Sequence, residues 1–257
     1  MKLLTIAIPC KGTIQSRFSL CLLNVANQIH SLTGYTPVIR FLIGKSNIVH
    51  ARSILVTEWY DKADETDLFL FLDSDQTFTV EDILTSMKQE GDVVAGVYVN
   101  GAGYPTCYPL HTKLFKEGKD NRLLYAGCGF MLIRKSILPR IVARMEKEGP
   151  TRFAISRDSP GESSVIPFFQ PKLLPISEMS TEATPKGDWL GEDYSFCWRV
   201  RDAGGTITAM FSHTLGHEIP QVSFLPEGYF PSKTTLSEKS IVYFCAHNYI
   251  YHLHFTP

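Results

Sequence analysis

The chain lacks the features of a membrane span, a disulfide-stapled domain and a repeat protein. No apolar run reaches the length of a transmembrane helix, and no internal repeat or low-complexity tract is present. The six cysteines are scattered without a CxxC pair, a pattern that favours reduced, packed thiols over a disulfide framework. We therefore expect a soluble protein of a reducing compartment, the cytoplasm.

An excess of charge of either sign is also missing. Lys and Arg number 25 and Asp and Glu number 26, which gives a formal net charge of −1. This balance argues against a nucleic-acid partner or a membrane surface held by bulk charge, so any anion must be bound locally. A chain of 257 residues can bury a complete core as one domain, and we predict a single domain over 1–257.

The most informative stretch is the sequence DLFLFLDSDQTF at 67–78, where an apolar run stops at Asp73 and Asp75. Residues 68–72 lack polar alternation, which predicts a strand buried on both faces. Ligands of open α/β sheets bind at the carboxyl ends of strands, where these acids fall. Two acids this close repel each other unless a proton or cation relieves them. The pattern predicts a divalent metal, although a solvated turn after a strand is the simpler alternative.

Strand and helix patterns alternate over the first hundred residues, which indicates an α/β fold with a mainly parallel sheet. Gly34 should end the first helix, Ser46 or Asn47 should cap the second, and Thr79 with Asp82 resembles a capping box. We predict strands at 3–8, 37–43, 68–72 and 92–99, and helices at 17–30, from 48 and at 80–90.

The pattern is less regular after residue 100. An antiparallel extension with strands near 110–116 and 123–126 is expected, and a run at 130–133 leads into a helix. The Ser-, Pro- and Glu-rich stretch 150–186 is typical of a lid or binding loop. We also predict a helix over 136–147, helical pattern over 191–205, a strand at 206–210 and an unassigned tail at 219–257.

Four short motifs carry a family resemblance. They are Asp73-Ser74-Asp75, the turn Gly127-Cys128-Gly129-Phe130, Gly191-Glu192-Asp193 followed by Gly204-Gly205, and Gly216-His217. In this order they resemble glycosyltransferases of the GT-A fold, most of all the chlorovirus-type, virus-encoded enzymes, with similarity to retaining polypeptide N-acetylgalactosaminyltransferases. The resemblance implies a Rossmann-like sheet flanked by helices, with a nucleotide-sugar half at 1–100 and an acceptor and metal half at 101–218.

The resemblance also implies a reaction, the transfer of a hexose from a nucleoside-diphosphate sugar, expected to be a UDP-sugar, to a hydroxyl of a glycan or glycoprotein. A bound Mn²⁺ or Mg²⁺ would neutralise the leaving diphosphate. Asp75 is the first expected ligand, Asp73 lies near the metal or the ribose, and His217 would favour Mn²⁺. Nucleotide contacts are implied for Pro9, Lys11, Arg52, Asp73 and Ser74. For a virus-encoded enzyme the location would be the host cytoplasm.

Glu192 and Asp193 are the expected catalytic acids. They begin a helix, where the positive end of the dipole favours acids, and this could be their whole role. In inverting relatives an acid here takes the proton of the acceptor hydroxyl, whereas in retaining relatives the departing phosphate can take it. The Gly-His motif favours retention of the configuration at the anomeric carbon.

Two other functions remain open. Asp73-Ser74-Asp75-Gln76-Thr77 also spells DxDxT, the nucleophile motif of haloacid-dehalogenase-type phosphatases, in which Asp73 would attack phosphorus. That family usually carries the motif on its first strand, whereas here it follows the third predicted strand. The other alternative is a sugar-nucleotide-binding module without turnover, in which His217 is an ordinary histidine.

Overall fold

A six-stranded sheet forms the centre of the molecule. The computed structural model describes residues 1–100, 102–109, 121–154, 164–176, 187–219 and 221–224. The strands in this part of the chain are β1 (Leu3–Cys10), β2 (Thr36–Ile43), β3 (Leu68–Leu72), β4 (Gln76–Thr77), β5 (Val93–Val97), β6 (Cys107–Tyr108), β7 (Tyr125–Ala126), β8 (Phe130–Arg134), β9 (Lys172–Leu174), β10 (Asp188–Leu190), β11 (Ile207–Phe211), β12 (Gly216–Ile219) and β13 (Gln221–Phe224). The helices are α1 (Ser16–Thr33), α2 (Ile48–Tyr60), α3 (Val80–Lys88), α4 (Ile137–Met145) and α5 (Glu192–Asp202).

The strand order is β11-β5-β8-β3-β1-β2, and the fold class is α/β, as predicted. β1 pairs in parallel with β2 and β3, and β11 pairs in parallel with β5. β8 is inserted antiparallel between β3 and β5. The carboxyl ends of β1, β3 and β5 therefore meet at one edge, and the turn that enters β8 reaches the same edge.

The central strand β3 is buried on both faces, which confirms the prediction from its unbroken apolar run. Phe69 and Phe71 join the cluster packed by α2, α4 and α5. Leu68, Leu70 and Leu72 join the opposite cluster, packed by α1 and α3. Because successive side chains of a strand point to opposite faces, one five-residue strand contributes to both layers of the core.

Local capping signals position the helices as predicted. The side chain of Asn47 accepts from the backbone N–H of His50 and begins α2. Thr79 and Asp82 form the capping box of α3. Gly34 ends α1 with φ of 74°, a left-handed conformation that glycine adopts without the steric cost of a Cβ.

Small antiparallel ribbons extend the sheet. β6 pairs with β7, so the strand expected near 123–126 is present at Tyr125–Ala126, whereas the one expected near 110–116 lies outside the described residues. β12 pairs with both β13 and β4, and β9 pairs with β10. The strand β1 runs through Pro9 to Cys10, two residues beyond the predicted end, since parallel pairing with β2 continues there.

The described part of the expected lid is anchored in the core. Phe168 and Phe169 are fully buried. The backbone N–H of Ile166 donates to Thr57 Oγ1, and that of Phe169 donates to Ser53 Oγ, so both are tied to α2. Residues 155–163 and 177–186 lie outside the described residues, and a lid there remains a prediction. The tail from 225 onward also lies outside the described residues.

No helix in the described ranges is both long enough and apolar enough to cross a membrane.

Candidate active site

The predicted site residues converge where β3 ends. The backbone N–H of Asp73 donates to the carbonyl of Gly129 at 3.0 Å, which joins the acidic turn to the glycine-rich turn before β8. The carbonyl of Ser74 accepts from the N–H of Gln15, just before α1, at 3.3 Å. Three separate segments therefore meet at this edge of the sheet, although they are far apart in sequence.

Asp75 and His217 form a pair across the ribbon. The residue His217 lies opposite Gln76 in the β12–β4 register, and the N–H of Glu218 donates to the carbonyl of Asp75 at 2.7 Å. These backbone contacts hold His217 Nε2 at 3.0 Å from Asp75 Oδ2. The hydrogen bond to Asp75 raises the pKa of His217, and partial burial opposes it. Both side chains remain partly exposed, at 39% for Asp75 and 23% for His217.

Asp73 has a different partner. Arg52 Nη2 lies 3.0 Å from Oδ1 and 3.1 Å from Oδ2 of Asp73, and the guanidinium stands over the ring of Phe71 at 5.2 Å. Arg52 is only 3% exposed. Burial, the largest single influence, lowers its pKa, but the charge and hydrogen bond of Asp73 together with the charge of Asp193 outweigh burial and raise the pKa above its ordinary value. Arg52 is thus a buried, charged partner of Asp73.

Tyr98 lies between the glycine-rich turn and His217. Its hydroxyl accepts from the N–H of Gly129 at 3.1 Å, and its ring lies 5.9 Å from that of His217, centroid to centroid. A Cβ at position 129 would stand 2.4 Å from the Tyr98 hydroxyl and 2.9 Å from Gln76 Nε2, so only glycine fits. Burial, followed by the charges of Asp73 and Asp193, raises the pKa of Tyr98 well above its usual range. The hydroxyl therefore stays neutral.

Glu192 and Asp193 begin α5 directly after Gly191, as predicted. Asp193 Oδ2 accepts from the N–H of Cys128 at 3.2 Å, which ties the helix start to the glycine-rich turn. Burial raises the pKa of Glu192 to about 7, assisted by the hydrogen bond and charge of Asp193. A carboxyl group with this pKa exchanges protons near neutral pH, as a general base must.

The remaining predicted nucleotide contacts lie at the same edge but are not joined to this network. Pro9 is buried in β1 opposite Leu42, and Lys11 is exposed in the loop that follows. Arg52, in contrast, turns its guanidinium into the protein. Nothing in these contacts assigns a nucleotide to Pro9, Lys11 or Ser74, and those roles stay predictions.

A divalent cation fits only part of the predicted ligand set. Within the described ranges, no group of three His, Cys, Asp or Glu side chains is arranged to hold a metal ion. Asp75 and His217 do lie together, and a carboxylate oxygen with an imidazole nitrogen suits Mn²⁺. The other imidazole nitrogen, Nδ1, is buried without a hydrogen-bond partner among the described residues, so Nε2 is the nitrogen on the Asp75 side of the ring.

The sequence patterns did not single out two polar residues, Tyr98 and Gln76, or one exposed aromatic residue, Trp189. Tyr98 and Gln76 carry no motif, and the amide of Gln76 is fully buried with neither atom hydrogen-bonded among the described residues. Trp189 is 78% exposed on the β9–β10 ribbon, opposite Leu173, which is 72% exposed, and three residues before Glu192. A large exposed aromatic residue beside two acids was a signal that sequence reasoning could have used.

Comparison with known proteins gives loose structural likenesses. No family model and no curated protein matches the chain. The catalytic domain of Drosophila beta1,4galactosyltransferase 7 in complex with xylobiose aligns at 14% identity over 81% of this chain, with a TM-score of 0.40. The chain spans 65% of that domain. A mutant of the same enzyme with manganese, UDP-Gal and xylobiose aligns at 14% identity over 80% of this chain and 65% of its own, with a TM-score of 0.36.

A glycosyltransferase involved in glycosylation of the major capsid of PBCV-1 is also similar, at 18% identity over 58% of this chain and 69% of its own, with a TM-score of 0.32. These likenesses are distant in both sequence and geometry. The functional argument therefore rests on the chain's own residues.

Proposed function

We propose that the chain is a metal-dependent glycosyltransferase of the GT-A type, which moves a hexose from a UDP-sugar to a hydroxyl of a glycan or glycoprotein. The observation that carries the proposal is the pairing of Asp75 with His217, which lies beside Tyr98 and, through it, beside the glycine-rich turn that holds Asp193. A cation-binding pair and a proton-accepting pair on one sheet edge suit the departure of a diphosphate and the attack of a hydroxyl.

Asp75 and His217 are the residues that would hold Mn²⁺. When bound, the cation supplies positive charge for the diphosphate that leaves the anomeric carbon. The pairing of β4 with β12 fixes the two side chains before any ligand arrives, so little reorganisation is needed. Both side chains are partly exposed, so a cation that they held would also be accessible to a nucleotide.

Glu192 is the group best suited to accept the proton of the acceptor hydroxyl. Its pKa of about 7 leaves a large ionised fraction at neutral pH, and the ionised form is basic enough to take a proton. Asp193 is held by the N–H of Cys128 and raises the pKa of its neighbour. A base on the protein supports a transfer that inverts the configuration at the anomeric carbon. The Gly-His motif instead predicts that this configuration is retained. The anomer of the product distinguishes the two outcomes.

The acceptor is proposed to lie against the β9–β10 ribbon. Trp189 and Leu173 form an exposed cross-strand pair, and exposed apolar patches of this kind mark binding surfaces. The flat face of an indole can cover the apolar face of a sugar ring while its edge stays wet. The pair stands directly before the acids that would activate the acceptor, which supports a glycan as partner.

The phosphatase alternative is less well supported. Both carboxylate oxygens of Asp73 accept from a buried arginine, whose positive charge lowers the nucleophilicity of that carboxylate. The motif also follows the third strand of the chain, β3, as predicted. A binding module without turnover would not need the raised pKa of Glu192.

A screen of nucleoside-diphosphate sugars tests the proposal. We expect Mn²⁺-dependent thermal stabilisation by one nucleotide family and slow release of the nucleoside diphosphate, both lost in Asp75→Ala. Stabilisation that is independent of metal and of this substitution would contradict the proposal. Release of free phosphate from simple phosphate esters would instead favour the phosphatase, and binding without any release would favour the module.

A further inference from the structure

We propose that Arg52 is a positioning residue that keeps Asp73 away from the cation, so that Asp75 and His217 are its only side-chain ligands and tight cation binding requires the diphosphate of the donor. This inference rests on the proposed function. It departs from the expectation that both acids of the Asp73-Ser74-Asp75 motif approach the metal.

The first observation is the geometry of the Arg52–Asp73 pair. One guanidinium nitrogen, Nη2, contacts both oxygens of the carboxylate at 3.0 and 3.1 Å. The guanidinium is held from behind by the ring of Phe71 and is shielded from water. An ion pair in such surroundings is weakly screened, so turning Asp73 toward a second cation would leave a buried arginine unpaired.

The second observation is that the guanidinium of Arg52 has no hydrogen-bond partner other than Asp73 among the described residues. The charges of Asp73 and Asp193 act on its guanidinium, and only Asp73 makes a hydrogen bond to it in the described structure. Its Nε and Nη1 are buried without hydrogen-bond partners among the described residues. The free-energy cost of losing Asp73 is therefore large for Arg52.

The third observation is the contrast with Asp75. Its Oδ2 lies 3.0 Å from His217 Nε2, and both side chains are accessible. Divalent Mg²⁺ and Mn²⁺ prefer about six ligands, mostly oxygen, so two protein ligands leave about four positions for diphosphate oxygens and water. A site with so few protein ligands binds the cation weakly alone and more tightly with the nucleotide.

The experiment is a titration with Mn²⁺ followed by the electron paramagnetic resonance signal of the free ion, with and without saturating UDP. For the natural chain we expect UDP to tighten Mn²⁺ binding by tenfold or more, a coupling of about 1.4 kcal/mol. Asp73→Asn, which keeps an oxygen for Arg52, should leave the affinity for Mn²⁺ alone within about twofold, whereas Asp75→Asn should abolish it.

Arg52→Met provides the opposite test. Removal of the guanidinium frees the Asp73 carboxylate next to Asp75, so Mn²⁺ alone should bind about tenfold more tightly and the gain from UDP should shrink. Arg40→Met is the matched control, because Arg40 pairs with Glu58 at 2.8 Å on the surface and should change neither affinity. If Arg52→Met does not fold, as judged by circular dichroism, the comparison of Asp73→Asn with Asp75→Asn decides alone.

Equal loss of Mn²⁺ affinity in Asp73→Asn and Asp75→Asn would overturn the inference, as would tight Mn²⁺ binding that UDP does not change. Either result would leave the proposed function standing. Absence of Mn²⁺ binding with and without UDP would contradict both.

Discussion

The candidate site has a buried half and an open half, and the two differ in what they can do. Arg52, Asp73 and Tyr98 are enclosed or paired within the six-stranded sheet and its turns. Asp75 and His217 stand on the small β4–β12–β13 ribbon and are partly exposed. Desolvated charges are costly to move, whereas half-exposed ones can exchange water for a ligand. The buried half therefore fixes the geometry of the site, and the open half is the part that can bind a ligand.

The same division applies to the two halves of the acidic helix start. Asp193 is held by the N–H of Cys128, whereas its neighbour Glu192 is the residue with the raised pKa. Substitutions in the buried half should therefore change stability first, and substitutions in the open half should change ligand binding or rate with little change in stability.

The largest expected effect is that of Glu192→Gln on the transfer rate. Loss of a general base should lower kcat about a thousandfold, with little change in donor KM. For the natural chain kcat should fall as the pH drops below about 7, because the base becomes protonated. The exposed Glu65→Gln is the control. A pH-independent rate in the natural chain would argue that the departing phosphate, rather than Glu192, takes the proton.

Glu192→Gln should also change the pH dependence of stability. A carboxyl group whose folded pKa is raised is penalised in its charged form, so stability falls as the pH rises from its unfolded pKa through about 7. Glu192→Gln should therefore raise the melting temperature at pH 8 and leave it unchanged near pH 4. A lower melting temperature at pH 8 would mean that Glu192 stabilises the fold.

Asp75→Asn should lower metal-dependent turnover about a hundredfold, since it removes one of two proposed side-chain ligands. Because Asp75 is partly exposed, the melting temperature of Asp75→Asn should differ from that of the natural chain by less than about 2 °C in the absence of metal. The matched control is Asp202→Asn, a partly exposed carboxylate that pairs with Arg144. If most of the Asp75→Asn variant were unfolded and its folded fraction were fully active, Asp75 would stabilise the fold and would not be a metal ligand.

Gly129→Ala tests the buried half. The added methyl group would meet the Tyr98 hydroxyl at 2.4 Å, which should destabilise the fold by about 2 kcal/mol in urea unfolding. Tyr98→Phe removes the oxygen that the methyl group meets, so the double variant should recover part of the loss. Additive destabilisation by the two substitutions would contradict the packing argument.

The smallest expected effect is that of Trp189→Ala. Loss of the exposed indole should raise the acceptor KM about tenfold and leave donor KM and stability nearly unchanged. Leu173→Ala, across the ribbon, should give a weaker effect of the same kind. An unchanged acceptor KM would remove the β9–β10 ribbon from the acceptor surface.

Local signals in the sequence predicted much of the fold. The buried run of β3, the cap at Asn47, the capping box at Thr79 and the helix end at Gly34 each depend on a few neighbouring residues. The antiparallel insertion of β8 was not predicted, because an apolar run of that length indicates a buried strand but not its direction.

The site was predictable only in its parts. The acids at the end of β3 and at the start of α5 follow from local pattern, but the partner of each acid depends on distant pairing. His217 reaches Asp75 over 142 residues, and Arg52 reaches Asp73 through the packing of α2 against the sheet. Tyr98 and Gln76 carry no motif, since their role arises only from the close approach that Gly129 permits.

The most direct test of the central claim is calorimetric titration of the natural chain with UDP in the presence and absence of Mn²⁺. The account predicts that UDP binds with Mn²⁺, and that its affinity falls tenfold or more when the metal is removed or when Asp75 is replaced by Asn. UDP affinity that is the same with and without Mn²⁺, and the same in Asp75→Asn, would contradict it.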